Sequence, residues 1–153
     1  MLSEKPEKPL LLIVDPTTTF PLILAVALRR AGCQDVEIVS FQKTAMAAFW
    51  LSGKMDQTKA TKYPFVSPWD AYPELRLPTL AIVHLAFPAG EREEVLDRLY
   101  CFSRATKIMT TSTKEELLAL DNRWDEVYLR QVVSHLPRPV TIHDLVERVT
   151  SLL

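Results

Sequence analysis

Three residues at the ends of apolar runs could do chemistry in this chain of 153 residues: Asp15, His84 and Arg138. Asp15 closes the run Leu10-Leu11-Leu12-Ile13-Val14, His84 stands late in the run from Thr79 to Pro88, and Arg138-Pro139 follows Val132-Val133-Ser134-His135-Leu136. A carboxylate, an imidazole and a guanidinium can pair with one another, hold an anion or handle a phosphoryl group. Hydroxyls stand near them in the same way: Thr111-Ser112 ends a fourth run, and Thr17-Thr18-Thr19 follows Asp15. His84 could accept phosphate on nitrogen, or could pair with Asp15 across adjacent strands as a satisfied buried polar group. Arg138 offers Asp15 a salt bridge, or offers an anion a site. Imidazole and carboxylate also suit Zn²⁺, so His84, His135 and Asp15 are a conceivable transition-metal set, although nothing in their spacing specifies one. His143 is expected to face solvent.

These residues need elements that bring them together. The His84 run is bounded by Pro78 and Pro88 and is apolar throughout, as in a strand buried on both faces of a parallel sheet. The run ending in Asp15 reads the same way. Val36–Phe41 alternates as a strand, Ala105–Ser112 forms a fourth, and Val132–Leu136 forms a fifth. Pro137 marks that last strand as an edge, where a missing N–H is tolerated. Helices fall between the strands. Leu22–Ala31 follows threonines that supply a cap and ends at Gly32; Pro21 is tolerated in a first turn. Lys43–Leu51 and Glu91–Arg104 are helical, and Thr113-Lys114-Glu115-Glu116 has the capping-box pattern and opens a short helix through Leu120. Thr141 caps a last helix whose inner face is Ile142, Leu145, Val146, Val149 and Leu152. Trp124 and Tyr128 are four apart, as on one helical face.

Strands alternating with helices predict an α/β sandwich with a five-stranded parallel sheet in the order 2-1-3-4-5 of flavodoxin-like folds. The chain reads as one domain over 1–153, with a charged tail at 1–8 and a helix-plus-loop insertion over 42–78. Prolines and aromatic residues interleave in that insertion, which suits an ordered excursion packed on the body or on a partner. The first helix is apolar nearly all round, more than a surface helix needs. It is expected to bury its outer face against a second subunit or beneath the insertion.

Composition excludes several classes. Lys and Arg number 18 against 19 Asp and Glu, a net charge of -1 with no basic tract for nucleic acid. No apolar run spans a membrane, and the charged start lacks a signal-peptide core, so a cytoplasmic protein is expected. The two cysteines, Cys33 and Cys101, have no metal-type spacing and suit reduced thiols packed in the core. The three glycines, Gly32, Gly53 and Gly90, make no phosphate loop.

Taken in order, the strand ends resemble the receiver domain of two-component response regulators (CheY-like) over nearly the whole chain. In that family the first strand ends in two acids that hold Mg²⁺; the matching pair here is Asp15-Pro16. The third strand carries the phosphoacceptor Asp followed by an x-x-x-Pro turn; here His84-Leu85-Ala86-Phe87-Pro88 keeps the proline and replaces the acceptor. Thr111, with Ser112 after it, matches the hydroxyl residue that senses the phosphoryl group. Arg138-Pro139 matches a Lys-Pro pair whose peptide bond is typically cis, and His135 occupies the position of the aromatic switch residue. The resemblance therefore implies a degenerate pocket of Asp15, Pro16, His84, Thr111, Ser112, Arg138 and Pro139. Aspartyl phosphorylation needs a carboxylate nucleophile and a divalent cation, and Mg²⁺ wants oxygen ligands. Weak or absent Mg²⁺ binding, no cofactor and no catalytic residues follow as expectations.

The role so implied is a pseudo-receiver: a signalling module, not an enzyme, that binds a protein partner or forms a homodimer without phosphorylation. The family's partner face would here lie near Trp124, Tyr128 and His135. Two alternatives stay open. One is a flavodoxin-like protein binding a nucleotide or phosphate ligand at Thr17-Thr18-Thr19, since helix N-termini attract phosphate. The other is a receiver phosphorylated at an atypical residue.

Overall fold

Short apolar runs punctuated by proline, glycine and hydroxyl residues become strands, and the segments between them become the helices that cover both faces. The structure, a computed structural model, describes residues 8–51, 61–62, 78–87, 89–102, 106–118 and 132–153. In chain order the elements are β1 (Leu10–Val14), α1 (Thr19–Arg30), β2 (Glu37–Phe41), α2 (Thr44–Leu51), β3 (Thr61–Lys62), β4 (Leu80–His84), α3 (Ala89–Phe102), β5 (Lys107–Thr113), α4 (Lys114–Leu118), β6 (Val132–Arg138) and α5 (Ile142–Leu152).

One sheet runs in the order β3-β2-β1-β4-β5-β6. Its five long strands are parallel, and counted among themselves they follow the order 2-1-3-4-5. This is the flavodoxin-like (CheY-like) arrangement that the alternation of elements predicts. Pro137 does lie on an edge strand, β6. Sequence reading missed β3, two residues from the insertion that pair antiparallel with β2 through Val39↔Lys62 and Ser40↔Thr61. Every residue of β1, β2 and β4 is buried. The alternating polar residues of β2 do not mark a wet face, because Glu37 and Ser40 are buried as well. Residues 52–60 and 63–77 of the insertion, and the predicted helical face of Trp124 and Tyr128, lie outside the described residues.

Because side chains alternate along a strand, the sheet feeds two cores. Leu10, Leu12, Val14, Ala81 and Val83 pack with α2 and α3. Leu11, Ile13, Leu80 and Ile82 pack with Leu24 and Leu28 of α1 and with Leu145 and Val149 of α5. Cys33 is half-buried against this second core.

The ends of α1 differ in how they are made. At its C-terminus Gly32 takes φ +89°, which a side chain would disfavour. There Cys33 N–H donates to Leu28 O at 2.9 Å and Gly32 N–H to Arg29 O at 3.1 Å, a Schellman closure. At its N-terminus Thr18 is the cap residue, but its side chain makes no capping bond. Thr18 takes a helical φ and ψ, and the threonine cap comes instead from Thr17, whose Oγ1 accepts from Phe20 N–H at 3.5 Å. By contrast, Thr141 is extended and accepts from Asp144 N–H at 3.1 Å, capping α5 as predicted. Ile142 departs from its predicted place on the inner face. It is the first residue of α5 and is 59% exposed, while Leu145 and Val149 are buried.

Leu12 and Leu28 are fully buried in opposite cores. Leu12→Ala and Leu28→Ala should each cost about 2–5 kcal/mol, transfer plus cavity. Urea denaturation would read this as a lower midpoint with an unchanged slope.

Candidate functional site

The carboxyl ends of β1, β4, β5 and β6 converge, and they carry Asp15, His84, Thr111 and Arg138 to one place. Asp15 follows β1 directly, and its N–H donates to Phe41 O at 3.0 Å, which holds it at the sheet end. Its side chain is 2% exposed, and a buried carboxylate needs partners for both oxygens. Oδ1 accepts from Thr17 N–H at 2.8 Å and from Thr17 Oγ1 at 2.7 Å. Oδ2 accepts from Arg138 Nη2 at 2.5 Å, a charge-assisted bond across 123 residues. The Arg138 guanidinium also lies over the Phe20 ring, 4.1 Å from its centroid. Its Nε is buried and has no hydrogen-bond partner among the described residues.

His84 and Thr111 are paired in register between β4 and β5. Thr111 Oγ1 lies 3.0 Å from His84 Nδ1. His84 Nε2 lies 3.3 Å from Glu116 Oε2. Burial holds the imidazole below its ordinary value of 6.5, and the Arg138 charge adds to that, against opposing pulls from Asp15 and Glu116. A neutral ring satisfies both neighbours if Nε2–H donates to the carboxylate and Thr111 O–H donates to Nδ1. The expected His84–Asp15 hydrogen bond is not made. Their nearest atoms are 3.9 Å apart, because Thr17 and Arg138 already occupy the carboxylate and Thr111 is the register partner of His84.

Glu116 was not singled out as a site residue. The capping box of α4 placed it: Thr113 N–H donates to Glu116 Oε1 at 2.8 Å, and Glu116 N–H donates to Thr113 Oγ1 at 3.2 Å. The bond from Thr113 N–H holds the carboxyl below the usual carboxylate range. Its second oxygen turns to His84. Thr17 was read for a cap, and its hydroxyl both accepts from Phe20 N–H at 3.5 Å and donates to Asp15.

The remaining candidates separate. Ser112 follows Thr111 on β5 and points to the other face, with Thr110. There Thr110 Oγ1 lies 2.8 Å from His135 Nδ1, and Ser112 Oγ lies 3.2 Å from His135 Nε2. Burial, then Arg148, holds the His135 pKa below its ordinary value. His84 and His135 thus sit on opposite sides of the sheet, and the conceivable metal set of His84, His135 and Asp15 is not assembled. Pro16 and Pro139 are exposed at the rim, and the Arg138–Pro139 bond is cis. His143 is exposed, beside Glu147.

A scan against protein-family models and a search of curated protein sequences give no match. Solved structures do match. A CheY-like response regulator receiver domain from Methanospirillum hungatei JF-1 aligns with TM-score 0.62 at 14% identity, covering 94% of this chain and 93% of that one. A response regulator receiver protein from Burkholderia phymatum aligns with TM-score 0.62 at 17% identity, covering 95% and 94%. The fold is that of a receiver domain. A streptococcal protein described as a redox sensor evolved from two-component response regulators also aligns, with TM-score 0.60 at 16% identity, covering 94% of this chain and 50% of that one.

In the receiver arrangement the pocket between β1 and β4 would hold Mg²⁺, and the groups present do not fit it. Octahedral Mg²⁺ needs several open oxygen donors. Asp15 has both oxygens engaged, Pro16 has no donor side chain, and His84 offers nitrogens already bonded to Thr111 and near Glu116.

Two outcomes follow. Arg138→Ala should leave Asp15 buried beside no cation and cost about 3–5 kcal/mol in denaturant unfolding. The unfolded chain protonates its histidines near 6.5, whereas folded His84 resists protonation. Stability should therefore be full above that value and fall as pH drops below 6.5. His135 adds to the same slope, so His84→Gln should make it shallower without removing it.

Proposed function

We propose that this chain is a signalling module of receiver fold that acts by binding a protein partner and does not carry out aspartyl phosphotransfer. The observation that supports this most is the Asp15–Arg138 ion pair, which fills the acidic end of the pocket with an internal cation. The acceptor position holds His84, 6% exposed, with its ring nitrogens facing Thr111 and Glu116. A nucleophile must reach its phosphoryl donor, and an in-line transfer needs a cation on the phosphoryl oxygens. This pocket has no open carboxylate and a Glu116 charge facing the one ring nitrogen a phosphoryl group would need.

The proposed module is cytoplasmic and is not an enzyme. Among the described residues no helix is long and apolar enough to cross a membrane. Its partner would dock near Trp124, Tyr128 and His135. The likeness to a redox sensor evolved from response regulators suits such a reading, since the fold alone does not commit a chain to phosphotransfer. A nucleotide or phosphate ligand at Thr17-Thr18-Thr19 is less well supported, because the Thr17 hydroxyl is turned onto Asp15.

Incubation with acetyl phosphate and Mg²⁺, followed by intact-mass measurement, tests the central claim. The expected result is no added phosphoryl mass. A phosphoryl adduct would overturn it, and its loss in Asp15→Asn or in His84→Gln would say which residue carries it.

A further inference from the structure

We draw no further inference here: the strongest candidate, the exposed apolar stripe of Leu22, Ile23 and Val26 on the outer side of α1, carries nothing because nothing in the structure shows what covers it.

Discussion

A carboxylate buried at the end of the first strand has to be neutralised, and Arg138 at the end of the last strand does it. The pair spans 123 residues and ties β1 to β6 although β4 and β5 lie between them. For the guanidinium to reach Asp15, all four strand ends must stand level, and Phe20 at the start of α1 must lie beneath it. A buried ion pair of this kind brings little net stability over an apolar substitute, because desolvation offsets the attraction. What it brings is geometry: it fixes where the sheet ends and what occupies the space beyond them.

The same arrangement decides what the pocket can do. A receiver pocket holds negative charge in reserve for a cation and a phosphoryl group. Here the charges are already matched within the chain. Asp15 is bonded on both oxygens, Arg138 is spent on Asp15, and the ring of His84 stands between a hydroxyl and a carboxylate. Low dielectric keeps the imidazole neutral, which spares the cluster a second buried cation beside Arg138.

The proposed binding role rests on surfaces. Scattered exposed apolar residues are ordinary. Among the described residues they concentrate on two adjoining helices.

Much of the architecture was legible in the linear chain. Runs such as Leu10–Val14 and Leu80–His84 are too apolar to face water, and they are too short and too closely punctuated to be anything but buried parallel strands. Gly32 and Thr141 announced their helix ends because each cap rests on local backbone geometry. The ends of the strands also put Asp15, His84, Thr111 and Arg138 forward, since a polar residue closing an apolar run is conspicuous. Tertiary structure alone decided how they pair. Strand alternation put Ser112 and His135 on one side of the sheet and Thr111 and His84 on the other, which no spacing along the chain could show without the register. Glu116 read as a cap and became a neighbour of His84 because its second oxygen is free to turn. Thr17 read as a cap and serves two groups at once, because its hydroxyl accepts from Phe20 N–H at the start of α1 while its proton goes to the buried Asp15 carboxylate. The pairing of β3 with β2 is likewise tertiary, since two residues carry no pattern of their own.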